Sequence, residues 1–342
     1  MLTDKENYLM TLRGEVPEWV PAGRRPGTDN SKPMAMMFGP PVIGRQPSQG
    51  EERDIWGVNY IPTESTGNAY IPDNSVFILP IEKLSDWRSI IKAPDISGVD
   101  WEKEIKLQLE KANFDREQTA LELTLHFGYF QLLMSFMGFE DGLLAFYEEP
   151  EAVHELLEYL SEFYISVANE VIDIYKPDVL SLADDTAAWR APFISTEMYR
   201  EFILPHHAKY IRMGLDRGIL IGMHNCGKCE GLVDTFVEAG INSWNPAQTC
   251  NDIKAVKAKY GNKLVISGAW DPRGRLLEPD VTEEELRQSV RDTMDAYAPG
   301  GGYCWGGGFL GAVGDTESAR KNAILSDEAV KYGHAFYSGN EH

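Results

Sequence analysis

From about residue 100 onward the chain alternates strand-like and helix-like segments, and this alternation constrains the fold more than any other feature. "ALELTLHFG" reads as a strand and "EAVHELLEYLSEFYISVANEVIDIYK" as a long helix. In that helix Val153, Leu156, Leu157, Leu160, Tyr164, Val167 and Val171 share one face at helical spacing. The pattern then repeats through "PDVLSLADD" (strand), "STEMYREFILPHHAKYIRMGLDRG" (helix), "ILIGMHNCG" (strand), "EGLVDTFVEAG" (helix), "INSWNPA" (strand), "DIKAVKAKYG" (helix) and "KLVISGAWD" (strand). "TEEELRQSVRDTMDAYA", with Thr282 and Glu285 at capping-box spacing, precedes "GGYCWGGG", and a last helix is expected from about Thr316 to Tyr337. Repeated β-α units imply a parallel sheet with helices outside it. No Gly-rich dinucleotide fingerprint follows the first strand, so a distorted (β/α)8 barrel fits better than an open sheet.

The N-terminal part reads as an extension of that barrel. Thr3 and Glu6 have capping-box spacing, Tyr8, Leu9 and Leu12 follow at helical spacing, and Gly14 stops the helix. "KPMAMMFGPP" reads as a first strand, and residues 40–98 as an irregular or hairpin-bearing insertion long enough to cover a substrate. With no clear linker, the 342 residues are expected to form a single domain. The formal charge of −21 would repel nucleic acid and anionic membranes, and no apolar run is long enough to span a bilayer. The N-terminus has no apolar signal core, which makes the cytoplasm the expected compartment and its four cysteines reduced thiols.

Polar residues of interest fall at the C-terminal ends of the expected strands, the end where barrel active sites assemble. Asp184 and Asp185 end "VLSLADD", His224 and Cys226 end "ILIGMHNC", Asp271 ends "VISGAWD", and Cys304 lies in "GGYCWGGG". His224 and Cys226 are two apart, so an extended strand points both to one face. With Cys304 they would give Zn²⁺ three protein ligands and an open fourth position, as in catalytic zinc sites. Core packing, or a Cys226/Cys229 redox pair, are the alternative readings. Asp184 is favoured over Asp185 for a role in acid/base work or metal binding, with helix capping the plainer alternative. His206 and His207 sit mid-helix and read as structural.

"TDKENYLMTLRGE", "PDVLSLADDTAAWRAPFISTEMYREFILPHHAKYI", "GMHNCG", "VISGAWDP" and "GGYCWGGG" together resemble the uroporphyrinogen decarboxylase superfamily in content and order. The resemblance implies a distorted (β/α)8 barrel. The Arg-Gln-Ala-Gly-Arg-Tyr segment of true decarboxylases, which grips porphyrinogen carboxylates, is replaced by "MAMMFGPPVIGRQPSQ". His224, Cys226 and Cys304 instead match the zinc signature of the superfamily's cobamide-dependent methyltransferases. Thiol-methylating members tend to place an acidic ligand after the next strand, where this chain has Asn245 and Gln248. The resemblance therefore implies methyl transfer from an O-methyl donor, an aryl methyl ether, to the Co(I) corrinoid of a partner protein. Asp184, Asn245 and Gln248 become candidates for a labile fourth ligand or for orienting the donor. Trp270, Tyr303 and Trp305 are candidates for walling an aryl ring, or for barrel packing. Methyl-corrinoid:coenzyme M transfer is the alternative, and a decarboxylase the remote one.

Overall fold

The computed structural model describes residues 2–22, 33–44, 52–63, 70–125, 128–312 and 314–338. Seven strands form one curled, all-parallel sheet: β1 (Ala35–Phe38), β4 (Ala120–Thr124), β5 (Val179–Ala183), β6 (Leu220–His224), β7 (Ser243–Ala247), β8 (Val265–Ala269) and β9 (Tyr303–Gly306), in that order. Beyond β9, Ala22 makes a parallel bridge to Trp305, whose N–H donates to the Pro21 carbonyl at 2.7 Å. This short segment takes the eighth strand's place, giving a distorted α/β barrel with an N-terminal extension. β2 (Tyr60–Pro62) and β3 (Tyr70–Pro72) form a separate antiparallel pair.

Strand alternation sorts the residues between two environments. Leu121, Leu123, Leu180, Leu182, Ile221, Met223, Trp244 and Ile266 belong to the large core between sheet and helices. Ala120, Val179, Val265 and Cys304 alternate with them and face the barrel interior, where they pack on Tyr8, Leu9 and Leu12 of helix α1 (Asp4–Leu12). The predicted capping box of Thr3 and Glu6 starts α1, and its apolar face stoppers the N-terminal end of the bore.

The outer layer begins with α2 (Trp101–Lys111), α3 (Tyr129–Met137), α4 (Phe139–Glu148) and α5 (Pro150–Tyr175). All seven residues read from sequence as the buried face of α5 are buried. The helix entered at Thr196 passes through a π turn over Tyr199–Ile203 before α6 (Leu204–Leu215). Pro205 explains the irregularity, because it cannot donate to the preceding turn and its ring crowds the carbonyl four residues back. Helices α7 (Val233–Ala239), α8 (Ile253–Tyr260), α9 (Glu283–Tyr297) and α10 (Thr316–Ala335) complete the layer. None of the helices among the described residues is long and apolar enough to cross a membrane.

The described part of the 40–98 insertion is anchored on the helical layer. Trp56 donates its indole N–H to the Tyr164 hydroxyl at 2.8 Å and packs edge-on to Phe136 and Phe163. The Leu79 N–H donates to the Phe136 carbonyl at the end of α3.

Candidate active site

β6 brings His224 and Cys226 to the mouth of the barrel, both half-buried. His224 Nε2 lies 3.5 Å from Cys226 Sγ and 3.6 Å from Asp185 Oδ1. One donor atom from each of Asp185, His224 and Cys226 lies within 4.8 Å of the others. A tetrahedral zinc with donors at about 2.0–2.3 Å sets them roughly 3.3–3.7 Å apart, so the two short separations fit one ion with a fourth position open.

The neighbouring residues hold the donor atoms in place. His224 Nδ1 lies 3.0 Å from Asn245 Oδ1, and an Nδ1–H donated to that oxygen would leave the Nε2 lone pair facing the thiol and carboxylate. Burial, then the neighbouring Asp185 carboxylate, pushes the Cys226 thiol up to about 12, so a cation bound there takes the place of a proton. Asp185 is held from two sides: it accepts from the Cys226 N–H at 2.8 Å and from the Gln131 side-chain amide at 3.1 Å.

The two adjacent aspartates exchange the parts expected of them. Asp184 is fully buried in the helical layer. Its carboxylate accepts the N–H groups of Phe130 and Gln131 in the first turn of α3 at 3.1 and 3.2 Å, and lies 3.6 Å from His207 Nε2. A Cβ added to Gly128 would stand 2.0 Å from Asp184 Oδ1, so the approach requires glycine. Asp184 is thus a helix-capping residue facing away from the mouth, and Asp185 is the aspartate at the site.

Asn245 and Gln248 also act at one remove. Asn245 orients His224, while Gln248 Oε1 accepts the Gly227 N–H at 2.7 Å and fixes the loop after Cys226. Gly227 has φ +83°, and a Cβ there would meet the Ala187 carbonyl oxygen at 2.3 Å. Only glycine lets this loop lie so close to the one following Asp185. Asn225 is fully buried and donates to the Thr186 hydroxyl at 3.0 Å, tying the same two loops together beneath the site.

Cys304 does not join the cluster. It occupies the second position of β9, paired with Ser267, and packs with Tyr8, Leu9 and Leu12 near the stoppered end of the bore. Burial, then the nearby Glu122, pushes its thiol well above the ordinary range. Cys229 is buried with its thiol likewise raised and its Sγ 3.4 Å from the Asn225 carbonyl, which suits packing rather than exchange with Cys226. Cys250 is a free thiol in the loop after β7.

Trp270, Tyr303 and Trp305 are packing residues: Trp270 stacks edge-on against Trp305 and Phe309, and Tyr303 donates to the Gly268 carbonyl at 2.9 Å. Asp271 accepts three bonds from Arg273, two from its guanidinium and one from its backbone N–H, and one from the Thr249 hydroxyl, which together hold its carboxyl down to about 2. Arg273 in turn lies over the Trp189 ring at 3.9 Å, on the rim.

Fold and site together define a parallel α/β barrel with a histidine, a thiol and a carboxylate gathered at its C-terminal mouth. The chain belongs to the uroporphyrinogen decarboxylase (URO-D) family, which it matches over residues 102–312. It is 27% identical over 150 residues to a methylated-thiol–coenzyme M methyltransferase of Methanosarcina mazei, covering 43% of this chain and 37% of that protein. It is 27% identical over 184 residues to a uroporphyrinogen decarboxylase of Pseudomonas syringae, covering 53% of this chain and 49% of that one. These matches thus span less than half of each relative's own length. A solved methyltransferase from Methanosarcina mazei shares the fold at 14% identity, with a TM-score of 0.62 over 97% of this chain and 99% of that one.

Proposed function

We propose that this chain is a zinc-dependent methyltransferase that moves a methyl group from an O-methyl donor, an aryl methyl ether, to the Co(I) corrinoid of a partner protein. The observation that carries this reading is the triad: Asp185, His224 and Cys226 converge at the spacing of a single ion, with His224 Nδ1 within hydrogen-bond distance of Asn245. Bound zinc would supply Lewis acidity, lowering the cost of the negative charge that develops on an ether oxygen as its bond to the methyl carbon breaks.

The residues of the chain do the positioning. A neutral imidazole, one thiolate and one carboxylate balance a divalent charge, as the pair of thiolates read from sequence would have done. Gln248 and Gly227 hold the Cys226 loop, and Gln131 holds Asp185, so the geometry is set before a substrate arrives. The insertion at 40–98 is assigned the role of cover, and the corrinoid protein must dock over the mouth. At a charge of −21, the surface favours a partner whose contact face is less acidic.

A second reading, methyl transfer involving coenzyme M, is favoured by the similarity to the methylated-thiol relative. Asp185 adds to it, because β5 supplies the acidic ligand that β7 lacks. A porphyrinogen decarboxylase is disfavoured by the missing Arg-rich segment, although Arg45 lies outside the described residues.

The test mixes zinc-loaded protein and reduced corrinoid protein with methoxylated aromatics, methanol, methylamines and methyl-coenzyme M, following Co(I) methylation by absorbance. Methylation from methoxylated aromatics is expected. Reaction with methyl-coenzyme M alone would establish the second reading, and no reaction with any donor would overturn both.

A further inference from the structure

The bores of such barrels are ordinarily filled by layers of bulky branched side chains. Between the α1 stopper and the triad, this bore is lined instead by Glu122, Ser181, Gly222, Ser243, Ser267 and Gly306. The Ser181 hydroxyl lies 3.3 Å from Glu122 Oε2, and the Tyr8 hydroxyl donates to Oε1 at 2.6 Å. A Cβ on Gly222 would stand 3.2 and 3.3 Å from the hydroxyls of Ser181 and Ser243, and one on Gly306 would stand 3.1 Å from that of Ser267. Gly222 precedes His224 by two residues on β6, so this lining begins about 7 Å deeper than the histidine, at roughly 3.3 Å of rise per residue. Glu122, Ser267 and Gly306 keep partial exposure, while Ser181, Gly222 and Ser243 are buried.

A carboxylate this deep discriminates between ligands. Tyr8 and Ser181 occupy two of its roughly four acceptor directions, leaving capacity for a further donor. An apolar group against it would leave those directions unsatisfied, an anionic group would be repelled, and a hydroxyl would complete its hydrogen bonding. Burial raises the Glu122 carboxyl above its ordinary range, as expected of a carboxylate set this far from bulk water.

We propose that Glu122 is a specificity-determining residue that receives a hydrogen-bond donor, a hydroxyl on the aromatic ring, at the end of the methyl donor remote from its methoxy group. This rests on the aryl methyl ether reading above. It places the ring in the bore, with the methoxy oxygen toward Asp185, His224 and Cys226 and the hydroxyl toward Glu122.

The experiment compares wild type, Glu122→Gln and Glu122→Ala on methoxyphenol, methoxyaniline, methoxybenzoate and unsubstituted methoxybenzene. A hydrogen bond to a charged group is worth about 1.5–3 kcal/mol, so wild type should favour methoxyphenol over methoxybenzene by roughly 10- to 100-fold in kcat/KM. Glu122→Ala should bring that ratio to about 2 or less while leaving methoxybenzene within about threefold of wild type. Glu122→Gln should relieve the exclusion of methoxybenzoate. A ratio unchanged in Glu122→Ala, with all donors slowed alike, would mean a purely structural role and overturn the proposal. Preference for methoxyaniline over methoxyphenol would overturn the hydroxyl assignment.

Should wild type demethylate no methoxy compound, the donor reading fails by itself. The bore is then judged by calorimetric titration of zinc-loaded protein with dihydroxybenzene, without corrinoid protein. A Kd at least tenfold weaker in Glu122→Ala supports the site, and an equal Kd in both proteins overturns it. If Glu122→Ala does not fold, Glu122→Met, of similar length and without an oxygen acceptor, carries the same comparison.

Discussion

Replacing Asp184 and Asp185 by asparagine, one at a time, separates two neighbouring carboxylates that differ by one step along the backbone. In Asp184→Asn the shape is kept, but a single amide oxygen replaces two carboxylate oxygens that accept from Phe130 and Gln131 at 3.1 and 3.2 Å. One backbone N–H keeps its acceptor and the other meets an NH₂ donor in a fully buried setting. Each bond to the charged carboxylate is worth about 1.5–3 kcal/mol and an unsatisfied donor costs about 1–3 more, so the loss should be roughly 3–5 kcal/mol. At about 2–4 °C per kcal/mol for a domain of more than 150 residues, the melting temperature should fall by roughly 10 °C. Asp185 is half-buried, and its replacement should move the melt by no more than about 3 °C while weakening zinc binding tenfold or more. Circular dichroism melts and zinc per chain after dialysis against a chelator read both quantities. Wild-type melting in Asp184→Asn together with lost zinc, or full zinc retention in Asp185→Asn, would refute the assignment of the two residues.

Three further outcomes follow from the same geometry. Asn245→Ala removes the partner of His224 Nδ1 and should weaken zinc about 10- to 100-fold, read by chelator competition, with little change in melting. Cys304→Ala should leave zinc per chain unchanged and cost roughly 1 kcal/mol or less in urea unfolding, since it removes only a small buried group far from the cluster. Burial holds His206 and His207 neutral, down to about 4 and about 3. Above about pH 6.5 both states carry them neutral; as pH falls below it, the unfolded chain takes up protons that the folded chain refuses, so stability declines toward pH 3–4. His207→Asn should flatten the pH dependence of the urea midpoint between pH 6 and 4.

The fold was legible because its signals are local. The face of α5, the capping boxes of α1 and α9 and the β-α alternation all depend on residues within a few positions of one another. His224 and Cys226 were legible for the same reason, since alternation fixes which way both point. The same alternation held the answer for Asp185: Val179 and Ser181 face the bore, and continuing by twos reaches Asp185, not Asp184. Cys304 shows a different limit. That it lies on an inward-facing position of β9 is local information, but its height along the bore depends on strand stagger and on α1 rising from below. Asn245 and Gln248, read from sequence as ligand or orienting candidates, brace a histidine and a loop in the structure, and no spacing rule distinguishes that from ligation.

The stopper formed by Tyr8, Leu9 and Leu12 also sets the tempo of the proposed reaction. Among the described residues helix α1 covers the N-terminal end, so a ligand would pass through the C-terminal mouth in both directions. The small methyl donor has to enter before the bulky corrinoid protein covers the opening, and the demethylated product stays confined until that protein departs. Steady-state kinetics should therefore follow a compulsory order, with excess corrinoid protein inhibiting by sealing an empty bore.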